Sequence, residues 1–335
     1  MKQPSKIRAG LDVDARTLVV ALRRDGVPEP VCPLPNTPAG HRQLIKLLTA
    51  RGASARVALE ATGVYSLGVA LALHRAPRVE VMVVNPRAIK DFQRARLTRA
   101  KTDAVDAGGI LEFLERMEFV AWTPPAERVL ALQQLGRRLV QLRGELTREQ
   151  ARLHAVAYTP DYEGWIAADL KAHIGQLKKR ITALQKAALE VVRQDASLAA
   201  QLAQLCRLPG VGALTGVRLL GELLVLPAEL KAKQWVAHAG LDPRPRQSGA
   251  TDAPRHISRT GNRHLRLALF MPALVAIQRC PQVRACYEAL LARGKKKKVA
   301  IVAIMRRMLH AIWGMLHHQQ DFNPQLFHAS PLPNT

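Results

Sequence analysis

Two acids three residues apart, Asp103 and Asp106 in the run KTDAVD, close an arginine-loaded segment, RAIKDFQRARLTRAK. On a helix, positions i and i+3 share a face, so both carboxylates aim at one spot. Carboxylates converging beside guanidinium groups suit a hard cation such as Mg²⁺ held against phosphate, because such ions take oxygen ligands and water. Other segments must supply further ligands. Asp12, on a first strand, and Glu60, at the end of a later one, complete four acids drawn from separate parts of the chain.

One strand and one helix giving oxygen ligands follows the logic of a ribonuclease-H-like site, and a two-ion version would clamp the attacking and leaving oxygens of a phosphodiester. Each acid also has a plainer reading. Asp14, two residues past Asp12 on the same strand face, reads as a solvated loop-edge residue. Glu112, Glu115 and Glu118 read as an exposed helical face with Arg116, and Asp103 and Asp106 taken alone fit helix capping or a surface position. The argument rests on the combination.

A second constellation lies toward the carboxyl end. Ser248 and Gly249 form a loop with Arg244 and Arg246 before it and Arg255, Arg259, Arg263 and Arg266 after it. A hydroxyl among guanidinium groups is suited to attack phosphorus, since the cations neutralise oxyanions that gain charge in the transition state. His256 and His264 read as phosphate-binding or solvent-facing, and neither stands out as a base. Together with Arg94, Arg96, Arg99 and Lys101 beside the acids, these six arginines are the candidate nucleic-acid contacts.

The elements that must position these groups change character along the chain. Ile7 to Leu22 reads as a strand carrying Asp12, with a turn at Asp25-Gly26. The proline-rich VPEPVCPLPNTPAG interrupts regular structure. GHRQLIKLLTARG then reads as a helix, ARVALEATG as a strand ending in Glu60, YSLGVALALHRAP as a helix and VEVMVVNP as a buried strand stopped by Pro86. Alternating strands and helices imply an α/β layer with a partly parallel sheet and acids at strand ends. After AWTPPAE long helical patterns take over. Leu132, Leu135, Leu139, Leu142, Leu146 and Leu153, then Leu170, Ile174, Leu177, Ile181, Leu184 and Ala188, mark a helical hairpin broken at AYTPDYEG. It is either an antiparallel or dimerising coiled coil or two helices packed within one protomer. LPGVG between helical patterns reads as a helix-hairpin-helix that presents backbone N–H groups to a DNA phosphate. The expected division is residues 1–125, 126–204 and 205–335.

Composition narrows the partner. Fifty Lys and Arg against 26 Asp and Glu give a net charge of +24 over 335 residues, as expected for a chain that binds a polyanion. Aromatics are 4% of the residues, so phosphate contact and not base stacking should dominate binding. Cys32, Cys206, Cys280 and Cys286 form no CxxC pair, which argues against zinc and a disulfide framework and fits a reduced cytoplasm. Neither a signal peptide nor a run of 18 apolar residues is expected to mark a membrane route.

GLDVDARTLVVAL, ALEATGVY, VNPRAIKDFQRARLTRAKTDAVDA, LPGVG, AGLDPRPRQSG and ISRTGNRHLRLALFMPA together resemble the DEDD transposases of the IS110 insertion-sequence family, which includes pilin-gene invertases. The resemblance runs from Gly10 to Leu316 in order. It implies a RuvC-like, ribonuclease-H-type amino-terminal domain with Asp12, Glu60, Asp103 and Asp106 as the Mg²⁺-holding set. It also implies a helical carboxyl-terminal domain with Ser248 as nucleophile of a covalent serine–DNA intermediate. Partners implied are donor and target DNA, a non-coding bridge RNA and further copies of the chain, a dimer assembling to a tetramer, in a bacterial cytoplasm. The chain departs from relatives at Asp14, where a small polar residue is frequent, and at Arg259, where lysine is common. Thr251 is a second hydroxyl in the serine loop. A water-using RuvC-like resolvase or nuclease and a non-catalytic basic nucleic-acid-binding protein are the alternatives.

Overall fold

A computed structural model describes residues 5–61, 63–97, 102–158, 160–161, 163–244, 247–248, 251–252 and 256–327. The chain divides into two compact units, Met1–Pro124 and Pro125–Thr335. The fold is mixed α/β, mostly helical, with all of the larger sheet in the first unit.

In the first unit, β1 (Lys6–Val13) and β2 (Thr17–Arg24) form an antiparallel hairpin, not one long strand. The reversal is made by Asp14-Ala15-Arg16, where the Asp14 N–H donates to the Thr17 carbonyl at 2.9 Å. No glycine or proline announces it, and apolar residues continue on both sides. The turn at Asp25-Gly26 is present, with φ of 52° and 87°, and leads into β3 (Val27–Pro28). The proline-rich segment is not irregular throughout, because β4 (Cys32–Pro35) also pairs with β2. Prolines are tolerated there because an edge strand need not donate every ladder hydrogen bond. Helix α1 (Pro38–Thr49), β5 (Ser54–Glu60), α2 (Val64–His74) and β6 (Val79–Val84) follow, with β5 parallel to both β1 and β6. Pro86 starts α3 (Pro86–Ala95) as well as ending the strand, since a helix's first turn needs no N–H there, and the Asn85 side chain caps it by accepting from the Arg87 N–H at 2.9 Å. Helix α4 (Asp103–Arg116) completes the unit. The sheet order is β3-β2-β1-β5-β6, with β4 also on β2, so β1 lies centrally. One core face buries Ile7, Leu11, Leu18, Leu44 and Leu59; Ile110, Phe113 and Leu114 of α4 pack on Ala58, Met82 and Val84.

The second unit begins with the expected hairpin, α5 (Glu127–Val156) and α6 (Trp165–Arg193). Leu139 and Leu142 of α5 close on Leu177 and Ile181 of α6, so part of the leucine seam is satisfied within one chain. Helices α7 (Ala196–Leu205) and α8 (Ala213–Leu223) flank LPGVG, and α9 (Ala232–Ala239) follows. Four two-residue strands come next: β7 (Pro243–Arg244), β8 (Gln247–Ser248), β9 (Thr251–Asp252) and β10 (His256–Ile257). Then come α10 (Arg263–Arg279), α11 (Pro281–Ala292) and α12 (Lys297–His318). Helix α12 is long and apolar enough by length and composition to cross a membrane, although Arg306, Arg307 and His310 interrupt it and no run of 18 apolar residues occurs. Ile304, Met308, Leu309 and Ile312 along it are buried with Leu205, Leu220, Trp235 and Leu269, as in a core helix of a water-facing domain.

Candidate active site: an acid cluster and a serine hairpin

The parallel pairing of β1 with β5 runs to Leu11 opposite Leu59. Asp12 and Glu60 are the next residues on each strand, so the two acids stand side by side at the carboxyl ends of adjacent strands, where open α/β sheets place their sites. Helix α4 brings the other two. Thr102 caps it, its Oγ1 accepting from the Val105 N–H at 3.3 Å, so neither Asp103 nor Asp106 is spent as the cap. Both lie in the first turn, where the helix dipole favours negative charge.

Gly10 sets how near the acids come. A Cβ there would sit 2.2 Å from the Leu111 nitrogen and 2.4 Å from the Ala107 carbonyl oxygen, so only glycine lets α4 lie directly on β1. Asp106 precedes Ala107 and Asp12 follows Gly10 by two residues on one strand face. The Gln93 side chain donates to Asp106 Oδ1 at 3.1 Å, and Phe92 packs edge-on against Phe113 at 5.3 Å, tying α3 to α4.

Charge shows that the acids share one space. Burial first, then the fields of Asp106 and Asp103, push the Asp12 carboxyl above its ordinary range. Burial, then Asp12 and Asp106, push Glu60 up likewise. Neither forms an ion pair among the described residues. Among those residues no group of three or more His, Cys, Asp or Glu side chains is drawn tightly enough to hold an ion. Four carboxylates, which offer oxygen donors only, fit a hard divalent ion in kind.

Other acids on α4 are not the exposed face expected from their spacing. Glu112 and Glu115 are only 18% and 14% exposed at the side chain. Glu112 pairs with Arg96 and with Arg116, and Glu115 with Arg23. Arg96 is thereby engaged within the fold, whereas Arg94 is exposed; Arg99 and Lys101 lie outside the described residues.

Ser248 belongs to the second unit. Its backbone pairs antiparallel with Thr251, and in a separate two-stranded sheet Arg244 pairs with His256. Following β10 stand three arginines that feel one another. Burial, then Arg259 and Arg263, disfavour the charge on Arg266, whose Nη1 donates to the Ala239 carbonyl at 2.8 Å. Arg244 reaches Thr260 Oγ1 at 3.5 Å, and Arg259 holds φ at 52°. Gly261 lies against the end of α9, at φ 127° with a hypothetical Cβ 2.2 Å from the His238 carbonyl oxygen. Arg246 and Arg255 lie outside the described residues.

Sequence reading missed Glu222. It is 4% exposed at the side chain, takes Arg137 Nε at 2.7 Å and Nη2 at 2.9 Å, and accepts from Asn262 Nδ2 at 2.7 Å. Burial raises its carboxyl, but the Arg137 and Asn262 hydrogen bonds prevail and hold it below its ordinary value. Asn262 in turn caps α10, its Oδ1 accepting from the His264 and Leu265 N–H groups. The network thus fixes the start of the helix that carries Arg263 and Arg266. A glutamate in the apolar run LTGVRLLGELL was the available signal.

Residues 9–158 match a family model for DEDD transposases of IS110, described as a transposase, and residues 202–288 match one described as Transposase IS116/IS110/IS902 family. The chain is 26% identical over 273 residues to the pilin gene-inverting protein of Moraxella bovis, covering 80% of this chain and 82% of that one. The Moraxella lacunata pilin gene-inverting protein is 27% identical over 277 residues, with the same coverage of 80% and 82%. The uncharacterized 43.6 kDa protein of insertion element IS110 from Streptomyces coelicolor is 32% identical over 115 residues, 33% of this chain and 28% of that one.

Proposed function

This chain belongs to the IS110 family of DEDD transposases, enzymes that rearrange DNA, and on that premise we propose that it cuts and rejoins DNA through a covalent serine–DNA intermediate. The observation that carries the reading is the field that Asp106 shares with Asp12 and Glu60, both of them partly desolvated and without an ion pair among the described residues. The sheet order, with a central β1 antiparallel to β2 and parallel to β5, supports a ribonuclease-H-like, RuvC-type first unit.

Asp12, Glu60, Asp103 and Asp106 would hold Mg²⁺, which when bound supplies charge neutralisation and polarisation at the scissile phosphate. Ser248 Oγ forms a bond to phosphorus while the bond from phosphorus to a deoxyribose oxygen breaks, and the serine proton ends on that departing oxygen. A DNA hydroxyl of the exchanged strand then attacks the phosphoserine, restoring the serine. Phosphodiester energy is conserved, so no ATP is consumed. Arg244, Arg259, Arg263 and Arg266 lower the cost of charge on the phosphate oxygens, and Arg246 and Arg255 join them in this reading. Arg94, Arg99 and Lys101 grip the backbone near the acids, with Arg96 contributing once Glu112 releases it.

In this reading the hairpin of residues 126–204 is a connector between residues 1–125 and residues 205–335. A bridge RNA supplies pairing with donor and target DNA, and two dimers form the working tetramer in the cytoplasm, at the nucleoid.

The test is a suicide substrate nicked near the exchange point. A denaturation-resistant adduct mapped to Ser248 is the expected result, lost in Ser248→Ala while DNA affinity is kept. Free ends without an adduct would mean water is the nucleophile, as in a resolvase. An intact substrate would reduce the chain to a binding protein, and an adduct surviving in Ser248→Ala would move the nucleophile elsewhere, Thr251 being the nearest hydroxyl in sequence.

A further inference from the structure

Helix α5 turns Gly136, Leu139, Val140 and Arg143 toward α8, and the Arg218 stem crosses it there, its Cγ 3.4 Å from where a Cβ on Gly136 would stand. Between these helices and Gln185 of α6 opens a shallow cleft, with Leu139 and Val140 among its apolar walls and Arg143, Gln185, Thr215 and Arg218 as its polar lining. Thr215 lies in the first turn of α8, which starts at Ala213 behind Gly212. Amides of a first turn lack partners within the helix, and the dipole there is positive.

Two guanidinium groups lining one cleft, Arg218 half-buried and Arg143 exposed, attract an anion. Burial first, then the field of Arg143, disfavours the charge on half-buried Arg218, and Glu222 only partly opposes them. Glu222 lies four residues along the same helix and would be the natural partner, but Arg137, Gln133 and Asn262 occupy its oxygens. Among the described residues neither Arg143 nor Arg218 forms an ion pair or a side-chain hydrogen bond. Desolvating one cation beside another is unfavourable, and an oxyanion seated between them reverses the sign.

We propose that this cleft binds a phosphodiester of a nucleic-acid backbone, gripped by Arg143 and Arg218, with Thr215, Gln185 and the α8 amides receiving its remaining oxygens. It rests on the reading of the chain as an enzyme of nucleic acids and uses none of the acids or hairpin residues assigned above. It also moves the contact expected of LPGVG from glycine amides alone to side chains of three helices.

The test measures the salt dependence of binding by the full chain carrying Ser248→Ala, so that strand transfer does not intrude. Arg143→Gln and the double variant Arg143→Gln/Arg218→Gln are compared with this parent on duplex DNA and on single-stranded RNA. The expected result is an affinity loss of about tenfold and a log–log salt slope smaller by about 1 on one of the two, which then identifies the source of the phosphate. Unchanged slopes on both would overturn the proposal while leaving the strand-joining chemistry standing. A parent that binds neither would overturn it together with the nucleic-acid reading. Because the Arg143 side chain is exposed, its single variant carries the test even where the double variant does not fold.

Discussion

At the scale of residues, the acids are held in a state that costs stability. The Asp12 and Glu60 carboxyls are raised by burial and by neighbouring acids, so the folded chain binds their protons more tightly than the unfolded chain. Their contribution favours folding below the ordinary carboxylate range and is withdrawn as pH rises through the elevated values. At neutral pH without divalent ions, Asp12→Asn should therefore melt above the parent chain by a few degrees, and the gap should close toward pH 4, an acidity chosen at about the reference carboxylate values. Added Mg²⁺ should stabilise the parent and leave Asp12→Asn nearly unmoved, as scanning calorimetry would reveal. A variant that melts lower at neutral pH, or that gains as much from Mg²⁺, would mean the carboxylates do not share a cation site.

At the scale of elements, the contact of α4 with β1 is the joint on which the acid cluster turns. Gly10→Ala would drive a methyl into the α4 backbone and should cost about 2 kcal/mol or more. Mg²⁺-dependent strand cleavage should fall with it, because Asp106 rides on α4. The matched control is Gly108→Ala, where no atom lies within 4 Å of the added Cβ and a helical alanine should gain about 0.5–1 kcal/mol. Chemical denaturation and cleavage assays on the pair separate a packing fault from a general intolerance of α4; equal behaviour would show that β1 and α4 do not need this approach. Much of this element layer was legible beforehand. The helical period of α5 and α6 and the apolar runs of β5 and β6 are local patterns that record burial directly. The reversal at Asp14–Arg16 was not legible, since three ordinary residues made it. Edge strands built with proline were equally hidden, because their pairing depends on β2, which sequence reading had fused with β1.

At the scale of the whole molecule, the chain is two units, each with its own core, divided between Pro124 and Pro125. Residues 1–124 and 125–335 made separately should each melt cooperatively, and a fragment that stays unfolded by circular dichroism would show that its core depends on the other. The sequence by itself determined the chemistry available: four acids on a strand, a strand end and one helix turn, a serine among arginines, and a charge of +24 suited to a polyanion. These are properties of residue type and short spacing, which covalent order fixes. Only tertiary structure decided which charges stay free. It gave Glu112 to Arg96, and it spent Glu222 on Arg137 and Asn262, leaving Arg143 and Arg218 without an ion pair among the described residues. Such pairings join residues far apart in sequence, 85 positions in the case of Arg137 and Glu222. They follow from which helix faces meet, and no local spacing encodes that.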